Sequence, residues 1–104
     1  MDKKAILKKA NDFSKDTLMG TLGIRYTDFG DDFVEATMPV NSRVHQPAGL
    51  LHGGATAALA ESLGSLGSFI MSGDKAAGVV GIEINANHLR SIKEGLVTAK
   101  GTLL

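Results

Sequence analysis

Cysteine and tryptophan are absent from this chain of 104 residues, and proline occurs only twice. Without cysteine the chain forms no disulfide, holds no thiolate-bound metal and has no thiol nucleophile. An excess of charge is also absent, because 11 Lys and Arg residues balance 11 Asp and Glu residues. A nucleic-acid binder usually carries a basic excess, so this balance argues against one. What is present is a globular composition, with 43% hydrophobic and 21% charged residues.

The length is typical of one domain, and the sequence contains no repeat or interdomain linker. A domain of this size buries only about 60–65% of its unfolded surface, so association with a second copy would help to stabilise it. The N-terminal residues lack the apolar run and the small-residue cleavage site of a signal peptide, and we therefore expect a cytoplasmic protein.

The spacing of apolar residues predicts a helix, a hairpin, a long helix and then further strands. Helical spacing indicates a first helix over 2 to about 18, with Asp2 as its N-cap. Alternation indicates strands over 22–27 and 34–40, over 77–91 and from 96 onward, with a loop over 41–51. Because helices do not alternate with these strands, we predict an α+β fold in which an antiparallel sheet packs on one central helix.

The central helix is predicted over 53 to about 72, where 13 of 20 residues are Gly, Ala, Ser or Thr. Small residues on every side indicate a helix that other structure wraps closely, while its Gly and Ser residues argue against a membrane span. The one charged residue in this stretch is Glu61, with Ser65 and Ser68 one and two turns further on. A buried carboxylate is costly unless it is paired, and burial makes it a stronger base. Glu61 is therefore either a catalytic carboxylate or the point at which the helix meets water.

His52, Gly53 and Gly54 stand where the loop becomes this helix. Free N–H groups at a helix N-terminus can stabilise an oxyanion, although a glycine pair can also be a simple turn. Gly53 and Glu61 are eight residues apart, which is ~12 Å along one helix. That distance fits a single site only if the first turn is irregular, if the substrate lies along the helix, or if a second subunit completes the site.

Other polar residues have two interpretations each. Gln46 would orient a water or a carbonyl, or would be a surface amide. His88 and Arg90, with Lys93 nearby, would bind phosphate, or would mark a strand end that reaches solvent. Neither a metal-ligand motif nor a phosphate loop nor a GxSxG elbow is present, and we expect no metal and no cofactor.

Three stretches together resemble the hotdog-fold acyl-CoA thioesterases. They are HQPAGLLHGG at 45–54, LAES at 59–62 and GIEINANH at 81–88. The branch they resemble includes 4-hydroxybenzoyl-CoA and 1,4-dihydroxy-2-naphthoyl-CoA thioesterases, and the likeness runs from about 18 to 97. It implies a single hotdog domain over 1–104, with an antiparallel sheet wrapped around a long central helix. It also implies a homodimer or homotetramer in which the subunits join their sheets.

The resemblance implies hydrolysis of an aromatic or similarly bulky acyl-CoA to the free acid and CoA, with CoA as part of the substrate. Glu61 would attack the thioester carbonyl or activate water, and the Gly53 N–H would polarise that carbonyl. Gln46 and His52 would position the carbonyl or the water, and Ser65 would line the acyl pocket or place the water. The remaining implied substrate contacts, those to CoA coming from the neighbouring subunit, are Gly54, Ser62, Ser68, Asn87, His88, Arg90 and Ser91.

The end of the chain departs from the family that it resembles. The family's domain continues for two more strands beyond the one that starts at Leu96, and those strands lie inside the sheet. We therefore expect a fragment of a longer product, with a gap of unpaired backbone groups beside the strand at 80–90. An alternative is a catalytically silent acyl-CoA-binding or assembly module of the same fold. Hydratase chemistry on a 2-enoyl thioester fits less well, because the dehydratase motifs of this fold differ from HGG followed by Glu.

Overall fold

The computed structural model describes residues 2–70, 80–87 and 94–103. These ranges contain three α-helices, one short 3-10 helix and four β-strands. In chain order they are α1 Lys3–Ser14, α2 Leu18–Leu22, β1 Arg25–Phe29, β2 Phe33–Val40, the 3-10 turn Ser42–Val44, α3 Gly53–Ile70, β3 Val80–Asn87 and β4 Gly95–Leu103. The predicted ends of α3 beyond 70 and of β3 on both sides lie outside the described residues.

The four strands form one antiparallel sheet in the order β1-β2-β4-β3. β4 lies between β2 and β3 and pairs with β3 from Val80↔Leu103 to Asn87↔Leu96 without a shift of register. The predicted α+β fold with an antiparallel sheet is therefore confirmed. The gap expected beside the strand at 80–90 is wrong for its described part, because β3 pairs directly with β4 along its length.

The core lies between the inner face of the sheet and one face of α3. Every second residue of β2 is buried, from Val34 to Val40, as the alternation predicts. The core side chains from β4 and α3 are Val97, Ala99, Ala55, Leu59, Leu63 and Leu66. Met38, Leu59 and Leu63 are almost completely buried, and each such side chain stabilises the fold by about 1.5–3 kcal/mol.

The opposite face of α3 is exposed in this chain. Gly54, Ala57, Glu61 and Ser65 form a stripe along that face, and each of them is exposed. The prediction that other structure wraps this helix on every side is therefore wrong for the described chain. A single sheet of four strands covers only one side of a helix, so the small residues on the other side stay uncovered.

The N-terminal segment forms two helices where the sequence predicts one. Asp2 caps α1 as predicted, since its carboxylate accepts a hydrogen bond of 2.7 Å from the Ala5 N–H. α1 ends at Ser14, and Thr17 then caps α2 by accepting from the Met19 N–H. α2 includes Leu22, so the first strand begins at Arg25 rather than at 22. Phe13, expected on the apolar face of the first helix, is 75% exposed.

Among the described residues, none of the helices combines the length and hydropathy that crossing a bilayer requires.

Candidate active site

A tight hairpin over 44–52 carries the chain into α3. The His52 N–H donates to the Val44 carbonyl and the Gln46 N–H donates to the Leu50 carbonyl, each at 2.7 Å. Gly49 closes the turn with φ of 81°, a left-handed conformation that favours glycine. The hairpin pairs Gln46 with Leu50, two residues before His52.

His52 is the N-cap of α3. Its Nδ1 accepts a hydrogen bond of 2.7 Å from the Gly54 N–H, so in the neutral ring the proton is on Nε2. A Cβ at position 54 would lie 2.8 Å from this Nδ1, so the cap requires glycine there. His52 therefore presents only Nε2 to a substrate. The Gly54 N–H already has a partner, and a substrate contact through Gly54 stays a prediction.

Gly53 supplies the free N–H group of the first turn. The Ala55 and Thr56 N–H groups donate to the His52 carbonyl at 3.0 and 3.3 Å. The Gly53 N–H has no partner among the described residues, and no heavy atom lies within 4 Å of the place where a Cβ would stand. A free, accessible N–H at the positive end of a helix is a suitable donor to a developing oxyanion.

Gln46 is half-buried on the hairpin that leads into α3. Its Oε1 accepts a hydrogen bond from the Ala48 N–H, which fixes the orientation of the amide. The amide NH₂ group has no partner in the part of the chain that the structure describes. Gln46 can therefore donate a hydrogen bond to a carbonyl or a water, as the sequence predicts.

Glu61 lies two turns along α3, on its exposed stripe. Its carboxylate has no hydrogen bond or ion pair with any described residue. Within one chain Glu61 lies where the helix meets water, one of its two interpretations, because the sheet covers the other face of the helix. The Gly53 and Glu61 backbones remain ~12 Å apart along a continuous helix. An irregular first turn is therefore excluded as the way to bring them together.

The three serines of α3 differ in their surroundings. Ser65 is exposed on the same stripe as Glu61. Ser62 is buried, and its hydroxyl donates to the Ala58 carbonyl at 2.8 Å, so it is engaged in the helix itself. The side chain of Ser68 lies outside the described residues.

The residues predicted to bind CoA are not tested by the structure. Asn87 ends β3 and its backbone pairs with Leu96, but its side chain is not described. His88, Arg90 and Ser91 lie outside the described residues. Their predicted contacts with CoA stay predictions.

A cavity of about 220 Å³ opens beside Glu61 between α2 and α3. Its lining residues are Leu18, Met19, Ile24, Ala58, Glu61, Ser62 and Ser65. The contribution of α2 is missing from the sequence prediction, which merges this short helix into its neighbours. The available signal is Thr17, a good N-cap residue, followed six residues later by Gly23, a good C-cap residue.

Comparison with known proteins gives consistent matches. The family model described as the thioesterase superfamily matches residues 48–104. Proofreading thioesterase EntH of Cronobacter turicensis is 54% identical over 91 residues, which are 88% of this chain and 66% of EntH. The chain spans just under two thirds of the length of the curated relatives that it matches, at 66% and 64%.

Two solved structures agree with this match. A thioesterase from Haemophilus influenzae has 43% identity and a TM-score of 0.71, over 92% of this chain and 66% of that one. A mutant thioesterase from Pseudomonas aeruginosa has 46% identity and a TM-score of 0.70, over 90% of this chain and 68% of that one. The hotdog fold implied by the resemblance is thereby confirmed.

Proposed function

This chain belongs to the thioesterase superfamily, and from that premise we propose that it hydrolyses an acyl-CoA thioester to the free acid and CoA. The acyl group is aromatic or similarly bulky, and Glu61 is the catalytic carboxylate. The observation that carries the proposal is the free Gly53 N–H at the positive end of the helix that also bears Glu61. An oxyanion donor and a carboxylate are the two groups that thioester hydrolysis without a metal needs.

Two routes are compatible with these groups. In the first, the Glu61 carboxylate attacks the thioester carbonyl, the C–S bond breaks, and water then hydrolyses the mixed anhydride. In the second, Glu61 accepts a proton from water as the water attacks the carbonyl directly. In both routes the Gly53 N–H stabilises the negative charge on the carbonyl oxygen, and the CoA thiolate leaves and takes up a proton.

We propose that each site is shared by two copies of the chain. A donor and a carboxylate acting on one carbonyl must both lie within about 3 Å of the reacting atoms, yet Gly53 and Glu61 of one chain are ~12 Å apart. Ala57 lies midway between them on the exposed stripe of α3. A two-fold axis near Ala57 would place Gly53 of one copy opposite the Glu61 position of the other. The small residues of the stripe would let two such helices approach closely.

His52 and Gln46 have supporting roles in this proposal. Nε2–H of His52, at the helix end, and the amide NH₂ of Gln46, on the hairpin that precedes it, would each donate to the carbonyl or to the attacking water. Ser65, one turn beyond Glu61, would place the water or border the acyl group. Asn87, His88, Arg90 and Ser91 remain our candidates for holding the CoA arm.

Thiol release from a panel of acyl-CoA substrates tests the proposal. Glu61→Gln keeps the shape of the side chain but removes the carboxylate, and we expect nearly complete loss of kcat. Asp32→Asn is the matched control, because Asp32 is an exposed carboxylate in the turn before β2. Wild-type rates in the Glu61 variant would contradict the assignment. Tight CoA binding without any thiol release would instead favour the silent acyl-CoA-binding or assembly module.

Gly53→Pro tests the oxyanion donor separately. Proline is well tolerated at the first position of a helix and removes only the N–H group that is free here. We expect a loss of about 10²–10³ in kcat. Gly53→Ala is the control, since it retains the N–H and its Cβ meets open space.

A further inference from the structure

A second cavity, called here the α1–β1 cleft, lies where the end of α1, the short helix α2 and the start of β1 meet. Its volume is about 210 Å³. Two cations line it, Lys15 at the C-cap of α1 and Arg25 at the first position of β1. Ile24 is the one lining residue that the cleft shares with the cavity beside Glu61. The cleft is therefore separate from the candidate active site.

Two glycines give the cleft its shape. A Cβ at Gly20 would overlap the backbone carbonyl of Lys15, so only glycine lets α2 lie this close to the end of α1. Gly23 adopts φ of 76°, a left-handed conformation that favours glycine, and its N–H donates to the Gly20 carbonyl at 3.2 Å. This turn leads the chain directly into β1 and so places Arg25 at the cleft.

Asn11 fixes the end of α1 against β1. Its side chain accepts a hydrogen bond of 2.8 Å from the Tyr26 N–H and donates one of 3.0 Å to the Tyr26 carbonyl. The two backbone segments from which Lys15 and Arg25 extend are therefore held at a fixed spacing. Ser14 also lines the cleft, but its hydroxyl proton is already donated to the Ala10 carbonyl. The charged donors available to a ligand are the two cations.

Neither cation of the cleft has an ion pair with a carboxylate in the part of the chain that the structure describes. Lys8, one turn or more before Lys15 on α1, differs because it pairs with Asp12 at 2.6 Å. This hydrogen bond from Lys8 is the main reason that the pKa of the Asp12 carboxyl is lowered, and the charges of Lys15 and Arg25 lower it further. Neither Asp12 nor Asp16 lines the cleft. The lining therefore carries positive charge without a compensating carboxylate.

We propose that the α1–β1 cleft binds a phosphate group. The guanidinium of Arg25 offers a planar fork of N–H donors that matches two phosphate oxygens, and Lys15 adds a compact positive charge. The cleft is smaller than the ~300–1,000 Å³ of pockets for drug-sized ligands, so it fits the phosphate group itself rather than a whole nucleotide. This site is additional to the proposed function and does not depend on Glu61.

Titration with inorganic phosphate, followed in the amide NMR spectrum, tests the inference. The amide resonances of Gly20, Gly23 and Arg25 should shift saturably with phosphate and should not shift with sodium chloride at the same ionic strength. Lys15→Gln and Arg25→Gln should each weaken phosphate binding by about 10-fold. Both side chains are exposed, so both variants should fold.

Lys4→Gln and Arg43→Gln are the matched controls. Each removes one positive charge from an exposed side chain that does not line the cleft, so phosphate binding should stay as in the wild type. Equal weakening in the control and the cleft variants would reduce the effect to net charge and would overturn the inference. A wild-type chain without saturable shifts at the cleft would overturn it as well.

Competition distinguishes two sources of the phosphate group. Displacement of inorganic phosphate by CoA but not by dephospho-CoA would identify the 3′-phosphate of CoA, and displacement by neither would identify a free phosphate ion. Glu61→Gln should bind phosphate as the wild type does. Loss of thiol release with phosphate binding retained therefore counts only against the catalytic assignment, and thiol release without phosphate binding counts only against the cleft.

Discussion

The hydroxyl of Tyr26 donates a hydrogen bond of 2.8 Å to the backbone carbonyl of Ser62, the residue that follows Glu61. Tyr26 is buried, and its hydroxyl also lies 3.7 Å from the sulfur of Met19, which lines the cavity between α2 and α3. One side chain of β1 thus connects the strand, the wall of the cavity and the turn of α3 that carries the proposed catalytic carboxylate.

Tyr26→Phe should lower the free energy of unfolding by about 1 kcal/mol, the usual contribution of one buried hydrogen bond. The ring stays in place, so the change isolates the hydroxyl. Urea denaturation gives the stability, and thiol release should show a lower kcat with little change in KM because Glu61 is less firmly positioned. A variant as stable and as active as the wild type would show that this bond positions nothing.

Alkaline pH should destabilise the fold through the same residue. Burial raises the pKa of the Tyr26 phenol, so the folded chain holds this proton more tightly than the unfolded chain. The resulting contribution to stability is complete below about pH 10, the ordinary phenol value, and is lost as the pH rises through the folded-state pKa. Tyr26 is the single tyrosine of the chain, so phenolate absorbance in the near ultraviolet reports it directly. Ionisation at the ordinary value in the folded protein would contradict this prediction.

Asn11 should stabilise the outer edge of the sheet. Its amide donates to the Tyr26 carbonyl at 3.0 Å and its Oδ1 accepts from the Tyr26 N–H at 2.8 Å, as a neighbouring strand would. Asn11→Ala should cost about 1–3 kcal/mol and should increase self-association, because the edge of β1 is then unpaired. Asn11→Asp keeps the acceptor but sets a carboxylate oxygen against the Tyr26 carbonyl, so it should also destabilise the fold at neutral pH. Calorimetric melting and light scattering measure the two effects, and wild-type stability of the Asn11→Ala variant would count against the paired bonds.

Gly53 and Gly54 should differ sharply in their tolerance of alanine. A Cβ at 54 would lie 2.8 and 2.9 Å from two atoms of the His52 ring, whereas a Cβ at 53 meets nothing within 4 Å. Gly54→Ala should therefore displace the His52 cap and cost about 1 kcal/mol. Gly53→Ala should leave the stability unchanged or raise it. Thermal denaturation compares the pair, and the reverse order would mean that His52 does not cap α3.

The sequence predicts those helices and strands that contain enough residues to show a clear hydrophobic period. β2 alternates over eight residues and α3 runs over 18, so both are predicted, and with them the α+β class. α2 has only five residues, which is too short for a helical period, so the cavity wall that it builds is not predicted. Periodicity also does not tell which face of α3 the sheet covers, so the sequence leaves open whether Glu61 is buried, and the structure shows it exposed within one chain.

The candidate site is predicted where a motif specifies backbone geometry. HGG at 52–54 indicates a helix start with a free N–H, and the structure shows that this N–H belongs to Gly53. The assignment of His52 as the cap needs coordinates, because it depends on the orientation of the ring. The contacts of Arg90 and its neighbours with CoA stay predictions.

Complementation between two inactive variants tests the shared site most directly. Glu61→Gln and Gly53→Pro are co-expressed with different tags, the whole pool of dimers is purified without selection for mixed ones, and thiol release is compared with each variant alone. Random pairing makes half of the dimers mixed. If each site uses Gly53 of one copy and Glu61 of the other, every mixed dimer has one intact site. The pool should then recover about a quarter of the wild-type activity. Activity no higher than that of the separate variants, in a pool shown to contain mixed dimers, would contradict the account.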